Sequence, residues 1–359
     1  MQLTVIQNRL LTPQSPDKSI YYLTLKVDSV RENRSDISYQ PGDWLTLQAE
    51  NNLDLVNQTL ALLSLSGTEK ITLRRHGEVT TTTALQSHLE LTQLNPAILN
   101  KCQRQYGFGD WADRQAMMDY ARGRDIIDLL MLFPSLQAMG LEFLQLLSSL
   151  TPRYYSIASI LDENNLVSIL YKHVRYEREG RERQGVTTRL LADLNTSDTV
   201  QGEFIANGNF KLPKDSKVPI IMIGAGTGIA PFIGFMQQRV QDSDGGENLL
   251  FFGETHRETS FLFEEDLTDW QAQKKLTLFT AFSRDQPQKI YVQDMIEQQK
   301  ERIFSLIQSG GIIYICGSQS GLAVGVEAAL KELFNESMAL DEMNWQSLKD
   351  KRQIQMDVY

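Results

Sequence analysis

The sequence predicts an α/β chain that opens as β structure, carries a helical insertion and closes as a doubly wound parallel sheet. Three observations predict it. Apolar and polar residues alternate over residues 23–30 and 43–48, helical spacing replaces that alternation from 53 to about 150, and after Pro213 short apolar runs alternate with helical segments. At 359 residues the chain also exceeds the ~250–300 at which a single core stops growing, so more than one domain is expected.

The two alternating runs flank Pro41-Gly42, a turn signal, and read as antiparallel strands. The insertion rests on runs such as Leu55-x-x-x-Thr59-Leu60-Ala61-Leu62-Leu63 and Ile126-Ile127-x-Leu129-Leu130-x-Leu132, with Gly67 read as a helix C-cap. Strands return at 154–159 and 167–174. Residues 175–183, four arginines interleaved with three glutamates, read as a solvated hairpin tip. Residues 218–223, 249–252, 276–282 and 312–316 are the expected strands of the parallel sheet. Residues 218–236 form the one uncharged apolar run of membrane length, but Gly224, Gly226, Gly228 and Pro231 break it into strand, turn and helix.

A formal net charge of −10 speaks against nucleic acid or an anionic membrane as a partner. With 42% hydrophobic and 22% charged residues, the composition is that of a folded domain. Cys102 and Cys316 lie far apart with no histidine beside them, so neither a metal site nor a disulfide is expected. The N-terminus lacks the basic flank of an export signal, and a reduced, cytoplasmic setting fits.

Four constellations carry chemistry. Gly224-Ala225-Gly226-Thr227-Gly228-Ile229-Ala230-Pro231 stands between a strand and a helix, where glycines let the backbone approach a pyrophosphate at the helix N-terminus. Ile229 takes the third glycine's place in the dinucleotide fingerprint, and a tight turn packed on the sheet explains the run equally simply. Ser283, Arg284, Lys289, Tyr291 and Gln293 follow the third parallel strand, at the end where such sheets bind ligands, and could clamp a phosphate monoester; a solvated loop is the alternative. Arg153-Tyr154-Tyr155-Ser156 on a strand and Gly185-Val186-Thr187-Thr188 before a helix could hold a second pyrophosphate and a flat ring, or simply pack a barrel. Cys316-Gly317-Ser318 ends the last expected parallel strand, and Asp357-Val358-Tyr359 ends the chain.

Together these motifs, R-x-Y-S, G-V-x-[ST], G-x-G-T-G-x-A-P-F, S-R-x-x-x-x-K-x-Y-V-Q, Y-x-C-G and an aromatic C-terminus, resemble the ferredoxin–NADP reductase superfamily in their order. The helical insertion resembles its diflavin reductase branch. Segments such as Tyr39-Gln40-Pro41-Gly42-Asp43, Thr151-Pro152-Arg153 and Phe282-Ser283-Arg284-Asp285-Gln286 are similar to the reductase half of NADPH sulfite reductase flavoproteins. The likeness covers the whole chain. It implies an FAD-binding β-barrel domain over 1–212 with the insertion at about 53–150, and an NADP(H)-binding domain over 213–359.

The resemblance also implies roles. FAD would be held by Arg153, Tyr154, Tyr155 and Ser156, by Leu170, Tyr171, Lys172 and Tyr176, by Gly185, Val186, Thr187 and Thr188, and more loosely by Thr92 and Arg122. NADPH would be held by Gly226 and Thr227 at the pyrophosphate and by Ser283, Arg284, Lys289, Tyr291 and Gln293 around the 2′-phosphate. Ser156, Cys316, Asp357 and Tyr359 would serve hydride transfer from NADPH to FAD N5, with Tyr359 covering the flavin face, before single electrons pass to a separate flavodoxin-like, ferredoxin or haem acceptor. The chain departs from the family at Ser318 and Gly325, where carboxylates are usual, and it opens at the barrel rather than at a flavodoxin domain. Two alternatives follow: a non-catalytic module that keeps the fold, or the reductase half of a longer sulfite reductase flavoprotein.

Overall fold

The computed structural model describes residues 1–28, 38–242, 245–336 and 344–359. The expected strand end at 29–30 lies outside the described residues. In chain order the strands are β1 (Gln2–Leu10), β2 (Ile20–Val27), β3 (Trp44–Leu47), β4 (Lys70–Leu73), β5 (Gly77–Thr80), β6 (Arg153–Ser156), β7 (Leu166–Lys172), β8 (Arg175–Arg178), β9 (Arg181–Gln184), β10 (Thr199–Ile205), β11 (Ile220–Ala225), β12 (Asn248–Glu254), β13 (Thr277–Phe282), β14 (Ile312–Gly317) and β15 (Ile354–Val358).

Six of them form an antiparallel sheet in the order β6-β3-β10-β1-β2-β7. A bridge between Ile157, just past β6, and Ile169 on β7 joins its two edges, so the sheet closes as a barrel. The Tyr39 to Asp43 turn is built into this closure. The Tyr39 hydroxyl donates to the carbonyls of Ile160 and Leu166, and Asp43 accepts the amides of Gln40 and Asn207. Gly42 sits at φ +91, with no room for a side chain against the Phe210 carbonyl.

The second sheet is parallel, in the order β13-β12-β11-β14-β15. Alternate residues of β11 enter opposite cores: Ile221 and Ile223 one, Ile220 and Met222 the other. The latter core also takes in Ile20 and Leu170 of the barrel, so barrel and parallel sheet share one apolar cluster. Met1–Thr46, Tyr154–Lys172 and Asn195–Tyr359 accordingly make one compact unit, and Leu47–Arg153 with His173–Leu194 make another. The expected 212/213 boundary falls inside the first unit, between its two sheets.

The second unit combines the insertion with residues 173–194, which are expected in the barrel, and its core includes Val56, Leu85, Leu99, Leu129 and Phe143. Three further expectations change here. The β4-β5 hairpin interrupts the helical stretch, because Lys70 to Leu73 alternates with period two and Gly77, at φ +69, closes its turn. Gly67 is not the C-cap: the helix Leu53–Leu62 ends at Leu63 and Ser64 takes the left-handed conformation. The charged run 175–183 does form a hairpin, and Arg175, Glu177, Glu179 and Glu182 are exposed as a solvated tip requires, but one side of it is taken up. Strand alternation sends Arg181 and Arg183 to one side, where both pair with Asp125 and Asp128 at the start of the helix Ile126–Leu132, and Arg183 is buried.

Candidate functional site

Between β11 and β14 the strand order reverses, the place where open parallel sheets bind ligands beyond their carboxyl ends. The glycine turn leaves β11 there. Gly226 has φ +56, and a Cβ on Gly228 would lie 2.1 Å from the Cys316 carbonyl oxygen, so the turn is pressed directly onto β14. The turn runs straight into the helix Ala230–Arg239, whose start carries no side-chain cap. Next along the sheet, the C-terminal residues form β15, with Asp357 opposite Cys316 and Val358 opposite Gly317. The Tyr359 amide donates to the Gly317 carbonyl (3.1 Å), and the Gln319 amide donates to the Tyr359 carbonyl (2.7 Å).

This pairing gathers the four expected catalytic residues. The Ser156 hydroxyl donates to Asp357 Oδ2 at 2.6 Å, and the Tyr359 and Thr227 hydroxyls are 2.6 Å apart. Burial pushes the Asp357 carboxyl above its ordinary pKa, while its bonds from Ser156 and Trp44 pull the other way. Cys316 is fully buried; desolvation, then the nearby Asp357 charge, raise its thiol well above the ordinary range, so it stays protonated. Tyr359 is 61% exposed, yet desolvation raises the pKa of its phenol, which bonds Thr227.

Trp44 completes the cluster and was not foreseen. Its indole N–H donates to both oxygens of Asp357, at 3.0 and 3.2 Å, and its ring meets the exposed Tyr154 edge-on at 5.6 Å. The signal for it was slight: a half-buried tryptophan directly after Tyr39 to Asp43, whose N–H needs an acceptor.

Around the end of β13, the Ser283 and Arg284 amides donate to the carbonyls of Glu254 and Thr255, both at 2.9 Å. Arg284, Lys289 and Tyr291 are exposed, and Arg284 pairs with Asp17. Ser283 instead turns its hydroxyl to the Glu254 carbonyl (3.3 Å). Gln293 packs its side-chain amide over Gly325, where a Cβ would lie 3.1 Å from Nε2. Ser318 accepts the Gly321 amide at 3.1 Å and caps the turn that follows β14.

Two expected residues on β7 are buried on its opposite faces: Leu170 packs in the core shared with the parallel sheet, Tyr171 stacks on Tyr21 and donates to Asn8, and Lys172 is exposed. Tyr155 and Ser156 are half-buried on β6.

In the second unit, Glu90 joins two expected residues. It forms an ion pair with Arg153 at 3.0 Å and accepts both the amide (2.9 Å) and the hydroxyl (2.7 Å) of Thr92. Arg122 is exposed beside Asp119, its carbonyl accepts from Arg178, and neighbouring Gly123 abuts the Tyr176 ring. Gly185 opens the helix Val186–Asp193 without a side-chain cap; Val186 and Thr187 are buried, and Thr188 accepts the Val174 amide at 3.1 Å. A Cβ on Gly185 would crowd Thr188 Oγ1 at 2.8 Å. Uncapped amides, a glycine without room for a side chain and the exposed Tyr176 suit a dinucleotide's phosphates and a ring.

No helix among the described residues is long and apolar enough to cross a membrane. Residues 222–327 match the oxidoreductase NAD-binding domain family. Over nearly its whole length the chain is similar to proteins named sulfite reductase [NADPH] flavoprotein alpha-component: 38% identical to that of Photorhabdus laumondii over 97% of this chain and 59% of the relative, 36% to that of Neisseria meningitidis serogroup B over 99% and 59%, and 34% to that of Bacillus subtilis over 99% and 60%. The chain thus spans about three fifths of the length of these relatives.

Proposed function

We propose that the chain is a member of the ferredoxin–NADP reductase superfamily, an NADPH-dependent FAD flavoprotein reductase that delivers single electrons to a separate redox protein. The observation that carries the reading is the Trp44–Asp357–Ser156 hydrogen-bond chain beside buried Cys316, with Tyr359 tied to the glycine turn through Thr227. When bound, FAD and NADPH supply the hydride and electron-transfer chemistry; the protein supplies alignment, charge and exclusion of water.

Each residue's part follows from its surroundings. Asp357, ionised and pinned by two donors, is a fixed negative charge toward positive charge that develops nearby. Ser156 spends its proton on Asp357 and keeps its oxygen lone pairs for a ring N–H. Cys316, neutral, offers a soft packing surface. Tyr359, its ring restrained by one hydroxyl contact, is the cover that nicotinamide displaces. Arg284, Lys289 and Tyr291 hold the 2′-phosphate, and Arg153 with the Gly185 to Thr188 turn holds the FAD pyrophosphate.

The acceptor is a flavodoxin-like, ferredoxin or haem protein, and for a chain similar to part of a sulfite reductase flavoprotein it includes the redox domain of such an assembly. NADPH oxidation by the FAD-loaded chain, followed with ferricyanide and then with flavodoxin, ferredoxin and cytochrome c side by side, tests this. Turnover with ferricyanide and a preference among the proteins is expected. A chain that stays colourless after FAD addition and leaves NADPH unoxidised is instead the non-catalytic module.

A further inference from the structure

The loop between β1 and β2 reaches the carboxyl ends of β12 and β13 with two consecutive charged residues. Its shape is fixed internally: the Thr12 hydroxyl donates to the Lys18 carbonyl and accepts the Ile20 amide, both at 2.9 Å, with Pro13 and Pro16 restricting the chain between. Lys18 is anchored on Glu254, whose side chain is 1% exposed and also accepts the Thr255 amide (2.8 Å). An anchored Lys18 leaves little freedom to its neighbour. Asp17 is thereby presented to Arg284 and pairs with it, both side chains about half exposed.

We infer that Asp17 is an internal competitor for the 2′-phosphate of NADPH, occupying the Arg284 guanidinium until the phosphate displaces it. This rests on the reading of Arg284 as part of the phosphate clamp. Asp17 Oδ2 takes one guanidinium nitrogen of Arg284, and a phosphate monoester offers acceptor oxygens of the same kind with more charge, so the two compete for the same donors. The phosphate carries more charge and wins, but it must break the existing pair and then lie near a displaced negative group. Asp17 thus weakens the hold on the one feature that separates NADPH from NADH, and it eases release of NADP⁺. It leaves NADH, which has no such phosphate, untouched.

Calorimetric titration of the FAD-loaded protein with 2′,5′-ADP and with 5′-AMP tests the idea in wild type, Asp17→Asn, Arg284→Ala and the double variant. Asp17→Asn should bind 2′,5′-ADP about two- to fivefold tighter, the range of an exposed ion pair, with 5′-AMP unchanged. The gain should shrink at high salt and vanish in the Arg284→Ala background. Equal or weaker binding of 2′,5′-ADP by Asp17→Asn, while Arg284→Ala still loses it, overturns the role of Asp17 and leaves the clamp standing. If wild type does not distinguish the two ligands and Arg284→Ala changes nothing, the clamp itself is wrong and the inference falls with it.

Discussion

Asp357 is held by Trp44 and Ser156 in a site that disfavours its charge, and this balance is measurable. Because burial raises its pKa in the folded chain, the carboxylate protonates at a higher pH than an exposed aspartate, and a rate that needs its charge falls as pH drops through that raised value. Trp44→Phe removes donors to the charged form. The acid limb of kcat should therefore move to higher pH, and kcat at neutral pH should fall about tenfold, the worth of one charge-assisted hydrogen bond. An unchanged limb with an unchanged rate would reduce Trp44 to a packing residue. At the neighbouring position, deleting Tyr359 removes both the ring and its tie to Thr227. The preference for NADPH over NADH should loosen and the flavin spectrum should shift; if neither changes, the tyrosine does not cover the flavin.

Among the elements, the β8-β9 hairpin owes its place to charges that its own sequence does not explain. Arg183 is 5% exposed and faces Asp125 and Asp128, so removing one partner leaves a buried cation without full compensation. Asp128→Ala should cost about 3–5 kcal/mol, readable by denaturant titration of the insertion's signal, and should weaken FAD retention, since Tyr176 lies on the same hairpin. A loss below about 1 kcal/mol would mean that water reaches Arg183. Strand β15 makes the complementary case. Pairing with β14 fixes Asp357 opposite Cys316, so the proposed catalytic carboxylate is positioned by backbone hydrogen bonds rather than by its side-chain neighbours alone.

For the molecule as a whole, the net charge of −10 bears on the acceptor. Attraction between opposite charges is screened by salt, so reduction of the basic cytochrome c should slow as ionic strength rises, whereas reduction of an acidic flavodoxin should hold steady or quicken unless a basic patch steers it. Stopped-flow rates over a salt series separate these outcomes, and an acidic acceptor that slows with salt would reveal such a patch.

The order of elements, the helical insertion and the parallel sheet were legible in the sequence, because hydrophobic period and turn residues are local properties that each segment carries by itself. The candidate residues Ser156, Cys316, Asp357 and Tyr359 could be picked out because they stand in motifs whose company is distinctive, and the fold brings them together. Partners far apart in sequence were not legible. Trp44 reaches Asp357 across 313 residues and Asp17 reaches Arg284 across 267, and no periodicity encodes which surface a half-exposed indole or carboxylate will meet. Likewise Ile354-Gln355-Met356-Asp357-Val358 alternates with period two as a strand does, but that pattern does not say that it pairs with the edge of β14. Local pattern and motif thus named the candidate groups, and folding supplied the neighbours that hold them, because burial and hydrogen bonding are properties of contacts that exist only once the chain has folded.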